Sequence, residues 1–364
     1  MGDVPQRECG GSPRVLRTAV RVTTTRESRL VRRGWRAVLA GAISVAMTAG
    51  CGASATGPSS SDTTRARSPG STTTGTAASR ADFAGLVDVG NGRSIFMECR
   101  GTGGPTVVLV TGLGERADNW MTTSDTPPQP DRSVFPGVAT FTRVCASDRP
   151  GTEGSRSTPV DQPATAKDSA TDLNALLSAS GEPGPYVLVG HSLGGPIVRL
   201  YAGEHPTKVA ALVLDDALSE DLGAGLTPTQ LQSFEKLNDP VTQGRPPGSE
   251  QALYTTAVVP QLLAAAPAPN VPVVVLSADT WPYTAESIAA GHASGQLPSF
   301  VTRELMDALW ASQLKAQDAL AAKFPGAKHV TETHASHYIH LDNPRLVIDS
   351  IRDVVDRVRA SPPR

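Results

Sequence analysis

Gly190, His191, Ser192, Leu193 and Gly194 spell G-x-S-x-G, a spacing that sets a serine hydroxyl between two positions without side chains. The chemistry such a residue can perform is nucleophilic attack. A hydroxyl is a poor nucleophile until a base removes its proton, so a serine in this role needs an imidazole within hydrogen-bond reach and a carboxylate to orient that imidazole. The chain offers seven histidines: His191, His205, His292, His329, His334, His337 and His340. The local sequence supplies the context for a nucleophile elbow. Tyr186 to Val189 is a β-branched-rich run of the kind that makes a buried parallel strand. Ile197, Leu200 and Tyr201 then fall at i, i+3 and i+4, after a Pro196 that is tolerated near a helix start. The alternative is a glycine- and serine-rich turn with no chemistry.

The elements that would position this serine follow from apolar patterning. Leu86–Val89 and Arg93–Arg100 read as strands joined by Gly90-Asn91-Gly92, a hairpin signal. Thr106–Val110, Arg143–Ser147, Tyr186–Val189, Val209–Leu214, Val271–Leu276 and Ala327–Val330 read as further strands. Helical patterns occupy about 163–179, the stretch after Ser192, and Pro344–Arg359. Strands alternating with helices predict an α/β fold: a mostly parallel eight-stranded sheet with helices on both faces. Two segments stand outside the alternation. Residues 219–270 are rich in Pro, Gly and Ala, with short helical patterns at 227–238 and 251–263, and read as an inserted helical cap. Residues 281–324 carry one amphipathic helix at about 302–323. The cap and a proline-rich loop at 127–136 are expected to shape an apolar cleft.

The 364 residues carry 33 Lys and Arg against 35 Asp and Glu, a net charge of −2. Residues 1–50 hold nine Arg against Asp3, Glu8 and Glu27, a surplus of +6, which leaves −8 for the remainder. No nucleic-acid surface is indicated. Arg32, Arg33 and Arg36 precede the uncharged stretch Ala37–Gly50, too short to span a bilayer but suited to the apolar region of a signal peptide. Thr48-Ala49-Gly50-Cys51 resembles a bacterial lipoprotein lipobox, with Thr48 where leucine is usual, and the resemblance implies lipidation at Cys51. Residues 51–81 are mostly Ser, Thr, Gly and Ala and read as a disordered tether, leaving 82–364 as the folded domain. The expectation is an exported protein, extracellular or held at a membrane by an N-terminal lipid.

Taken together, the hairpin start, Thr111-Gly112-Leu113-Gly114 after a strand, Asp148-Arg149-Pro150-Gly151 with Gly154-Ser155, GHSLGG, Leu212-Val213-Leu214-Asp215-Asp216-Ala217 and Ala335-Ser336-His337 resemble the α/β-hydrolase superfamily over about 85–359. That resemblance implies a triad in the order Ser, acid, His. Ser192 is the nucleophile and His337, just past the last strand, the base; His334 and His340 flank it, but ligands at metal spacing are lacking nearby. His191 reads as a packing or substrate-edge residue, the remaining histidines as ordinary. Two residues compete for the acid. Asp279 follows the seventh strand, the commonest position, though early for the usual spacing; Asp216 follows the sixth, where some capped relatives carry it. Asp215 would face the other way as a structural carboxylate. The resemblance also implies an oxyanion hole from the N–H groups of Leu193 and Leu113.

In that superfamily the strands carrying Cys99 and Cys145 are sheet neighbours, and an exported protein meets an oxidising compartment, so the resemblance implies a Cys99–Cys145 disulfide. The implied activity is hydrolysis of a small or acyl carboxylic ester through an acyl-enzyme, with no cofactor and no metal. A peptidase or thioesterase with the same triad, or a non-catalytic binding protein on this scaffold, are the alternatives.

Overall fold

The computed structural model describes residues 81–246 and 248–361. The expected signal segment, Cys51 and all but the last residue of the expected tether lie outside them. Eight strands form one sheet: β1 (Phe83–Gly90), β2 (Arg93–Arg100), β3 (Val107–Val110), β4 (Val144–Ser147), β5 (Tyr186–His191), β6 (Val209–Asp215), β7 (Val273–Leu276) and β8 (Lys328–Val330). Their order is β1-β2-β4-β3-β5-β6-β7-β8. The β1–β2 and β2–β4 pairs are antiparallel and the other five are parallel, which is the α/β-hydrolase fold.

The central strands are apolar throughout because both faces are covered. Val108, Leu188, Leu212, Leu214, Val273 and Val275 belong to one core. It is completed by helices α2 (Ala166–Ser180) and α3 (Gly194–Glu204). The alternate residues Val107, Leu109, Val187, Val189, Val213 and Val274 enter a second core. There they meet α1 (Val134–Ala139) and α9 (Pro344–Ala360), whose Val347, Ile351, Val354 and Val355 are fully buried. The period-2 geometry of a strand thus splits each apolar run between two layers.

Local chemistry sets the boundaries. Gly90, Asn91 and Gly92 all take positive φ, as the tight β1–β2 turn demands. Thr165 and Asp168 form a reciprocal capping box at the start of α2, and Gly181 ends it at φ 66°. Cys99 lies directly opposite Cys145 in the β2–β4 ladder, and the two are joined by the expected disulfide.

The stretch between β6 and β7 contains α4 (Pro228–Leu237), a π-helical turn (Tyr254–Val258) and α5 (Val259–Ala264). Between β7 and β8 come α6 (Ala285–Ala293), which apolar patterning did not indicate, and α7 (Arg303–Ala322). These two insertions share a satellite core. Tyr283, Ile288, Leu297, Val301, Leu305, Met306 and Leu309 pack together with Leu226, Phe234 and Leu237, while Ala316 and Leu320 of α7 enter the first sheet core, so the second segment both joins the cap and covers the sheet. A short helix α8 (Ile339–Asp342) follows the His337 loop.

Candidate active site

The end of β5 delivers Ser192 into a left-handed conformation with φ 49°, a position that costs a non-glycine residue about 1–2 kcal/mol. Three main-chain bonds hold it there. Its N–H donates to Asp215 O at 3.2 Å, and its carbonyl accepts from Gly195 N at 3.0 Å and Leu218 N at 2.9 Å. The flanking glycines have steric reasons. A Cβ on Gly190 would lie 2.5 Å from Gly194 O, and a Cβ on Gly194 would run into the Val110 carbonyl. The G-x-S-x-G spacing is therefore what lets α3 start directly against the end of β3.

His337 Nδ1 lies 2.6 Å from Asp216 Oδ2. Asp216 is 2 % exposed and sits just past the end of β6 at φ 39°. Its other oxygen accepts from Ala278 N at 3.1 Å and Gln313 Nε2 at 3.3 Å, so the carboxylate is fixed from three elements. Asp279 is placed differently. Its Oδ1 accepts from Ala335 N at 3.0 Å and its Oδ2 from His334 N at 2.9 Å. Those N–H groups hold its carboxyl below the ordinary range although burial opposes it. Asp279 thus braces the loop that carries His337, while Asp216 contacts the imidazole. Asp215 faces the opposite way and accepts from His340 Nδ1 at 2.9 Å, both side chains being fully buried.

Among the described residues, neither the Leu113 nor the Leu193 N–H has an acceptor. Leu193 stands at the N-terminus of α3. The peptide before Leu113 is oriented by Arg149, whose Nη2 donates to Gly112 O and whose Nη1 donates to Thr111 O, both at 2.6 Å. Because a trans peptide points its C=O and N–H in opposite directions, fixing the Gly112 carbonyl also fixes the Leu113 N–H. Arg149 is itself held by a buried, bidentate pairing with Glu250 at 2.6 and 2.9 Å. Glu250 also accepts from Gly114 N at 3.0 Å.

Its place beside Ser192 makes His191 a packing or substrate-edge residue by sequence, and the structure gives it a polar role. Its Nε2 lies 3.0 Å from the His337 carbonyl, which can only accept, so Nε2 carries a proton. Its Nδ1 lies 3.0 Å from Glu115 Oε2, which also accepts from Gly112 N at 2.8 Å. Burial alone would push the imidazole down, but the Glu115 charge and hydrogen bond raise it to about 9. Burial likewise opposes ionisation of Glu115, yet His191 and the Gly112 N–H bring it down to about 2. The pair is an imidazolium–carboxylate strut running from the Gly112 loop, through the residue before Ser192, to the backbone of His337. Glu115 is three residues beyond Gly112, but its partner is 76 positions away, a contact that no local spacing signals.

Glu115, His191 and His340 have ligand atoms within 4.8 Å of one another, close enough for one metal ion to reach all three. Hydrogen bonds to Gly112, the His337 carbonyl and Asp215 already use most of that donor set. Cys99, Cys145 and Glu182 are also close, but the two sulfurs are bonded to each other. A cleft of about 730 Å³ opens in the cap between α4 and residues 251–253. Its lining includes Glu235, Lys236 and Asp239 beside Leu253 and Phe300, a more polar surface than the apolar one expected of the cap.

Comparison with known proteins bears on the fold. The family model described as the alpha/beta hydrolase fold matches residues 105–258. A probable transporter, efuK, from Hormonema carpetanum is 29% identical over 140 residues, which is 36% of this chain and 18% of that protein. An uncharacterised protein of Schizosaccharomyces pombe is 33% identical over 87 residues, 24% of this chain and 16% of that one. The matched parts therefore span under a fifth of either relative. Among solved structures, a thermophilic esterase from Thermogutta terrifontis aligns at 18% identity and a TM-score of 0.46, covering 77% of this chain and 99% of that one. Est816, described as an N-acyl homoserine lactone degrading enzyme, aligns at 17% identity and 0.47, covering 74% and 100%. With the sheet order and the match across β3 to the cap, the chain has the α/β-hydrolase fold.

Proposed function

We propose that the protein is an exported serine hydrolase that cleaves carboxylic esters through an acyl-enzyme. The observation that carries this reading is the His337–Asp216 contact of 2.6 Å beside an elbow that holds Ser192 at positive φ. In the proposed cycle Ser192 Oγ attacks the ester carbonyl carbon while His337 Nε2 takes its proton. Asp216 keeps the imidazole in the tautomer with Nδ1–H and stabilises the imidazolium that forms. The N–H groups of Leu113 and Leu193 donate to the carbonyl oxygen as negative charge builds on it, each donor being worth roughly 3–4 kcal/mol. Collapse expels the alcohol, which takes the proton from His337. Water then repeats the sequence at the acyl carbon, releasing the acid and free Ser192. Asp279 has a positioning role, through the backbone of the histidine loop.

The test is hydrolysis of a p-nitrophenyl ester series, with a thioester and a peptide anilide alongside, by the full-length chain and its Ser192→Ala, Asp216→Asn and Asp279→Asn variants. Ester turnover that vanishes with Ser192→Ala and collapses with Asp216→Asn supports the reading. Thioester or anilide turnover alone reassigns the substrate. A folded wild-type protein with no turnover of any of them favours a binding protein on this scaffold. The proposed lipid at Cys51 is tested separately, by radiolabelled palmitate incorporation with and without Cys51→Ala.

A further inference from the structure

Arg245 lies in the cap segment that covers the loop after β3. It is 5 % exposed, and its Nε, Nη1 and Nη2 are all buried without a hydrogen-bond partner among the described residues. A guanidinium carries five donors and stays charged, so leaving all of them unpaired in a buried position costs several kcal/mol. Glu250, Glu153 and Asp239 act on it through their charge, but among the described residues none hydrogen-bonds to its guanidinium, although Glu153 Oε2 is itself buried and unpartnered. Glu250 spends both oxygens on Arg149, with Gly114 N on one of them. Asp239 accepts from Val241 N and Thr242 N. Glu153 acts on Arg245 only through its charge, and burial outweighs these fields, so Arg245 is held below its ordinary value.

The side chain is placed against the proposed chemistry. A Cβ built on Gly114 would lie 3.4 Å from Arg245 Nη1 and 3.8 Å from its Cζ, so the guanidinium rests on the residue next to Leu113. Glu250 N donates to Gly151 O, which fixes the same cap segment over the loop after β4. A cation with unpaired forked donors, one residue from the proposed oxyanion donor, matches an anion a few bonds from the scissile carbonyl. Arg149 is ion-paired with Glu250 and His191 with Glu115, whereas Arg245 makes no ion pair among the described residues. With Glu250, Glu153 and Asp239 close enough to be felt, the surroundings favour a monoanion over a dianionic phosphate.

We propose that Arg245 is a carboxylate-binding residue that selects esters whose acyl chain ends in a carboxylate. This inference rests on the hydrolase reading for its substrate, but not for its binding site. The test compares mono-p-nitrophenyl glutarate with p-nitrophenyl pentanoate on full-length wild type, Arg245→Gln and Arg245→Lys. The wild type should favour the charged ester in kcat/KM, and Arg245→Gln should reduce the charged-to-neutral ratio by about 10- to 100-fold. Arg245→Lys should recover part of it, since an ammonium supplies the charge without the fork. Glutarate, pentanoate and methyl phosphate are also titrated into the Ser192→Ala chain by calorimetry, and their effect on the wild-type melting temperature is measured, which needs no Arg245 variant. Glutarate binding that disappears with Arg245→Gln sustains the inference even if no ester is cleaved, in which case the hydrolase reading alone falls. A charged-to-neutral ratio unmoved by Arg245→Gln overturns it. So does glutarate that neither binds nor shifts the melt, or methyl phosphate that binds more tightly than glutarate.

Discussion

Replacing Glu115 by Gln tests the strut behind the proposed catalytic groups. Glutamine keeps the shape: with its amide oxygen in the place of Oε2 it can still accept from Gly112 N, the atom that in the wild type also faces His191 Nδ1. What is lost is the charge that holds His191 protonated. In the wild type the imidazole is raised from 6.5 to about 9, so its contribution is complete below pH 6.5 and disappears as pH rises through 9. At 1.36 kcal/mol per unit, that amounts to about 3 kcal/mol of stability lost between those values. On the acid side the same pair weakens as pH falls from 4.5 towards 2, where Glu115 takes up its proton. Urea unfolding of the full-length chain, followed by tryptophan fluorescence at pH 6, 7, 8 and 9, measures the alkaline limb. Glu115→Gln should be roughly 1–3 kcal/mol less stable than wild type at pH 6, the range for a hydrogen bond to a charged group, and nearly equal to it at pH 9. Parallel stability curves for the two proteins would refute the ion pair.

Asp216→Asn should lower kcat by about 10⁴-fold with the fold intact, because it inverts the donor–acceptor match at His337 Nδ1. Asp279→Asn should act mainly on stability, by about 1–3 kcal/mol, since it weakens acceptance from the His334 and Ala335 N–H groups. Reducing the Cys99–Cys145 bridge, which closes a sequence separation of 46, should cost about 4 kcal/mol in a melting or urea experiment. Gly194→Ala should prevent normal folding or cost several kcal/mol, because its Cβ meets the Val110 carbonyl, a backbone atom that cannot step aside.

The elbow was legible in the sequence because its determinants are local: an apolar strand, two glycines with no room for Cβ, and a helix that starts at once. The central strands were legible for the same reason, each being a short apolar run between turn residues, while β1 and β2 were marked by the Gly90-Asn91-Gly92 turn between them. The acid was not. Asp216 and Asp279 both follow strands, and what separates them is direction. Asp216 turns to φ 39° and meets a histidine 121 residues on, whereas Asp279 is consumed by the backbone of that histidine's loop. Helix α6 escaped notice because its buried residues are Ser287, Ile288 and Gly291, which make too weak a stripe to read. The Glu115–His191 and Arg149–Glu250 pairs link positions 76 and 101 residues apart, and charged residues in such loops read as solvent-facing until the fold brings them together.

The most direct test of the central claim is labelling of the folded, full-length protein with a fluorophosphonate, followed by mass spectrometry of its peptides. One adduct is expected, on Ser192, absent from urea-unfolded protein and formed far more slowly in Asp216→Asn. An unlabelled Ser192 in folded protein, or an adduct on another serine, would contradict it.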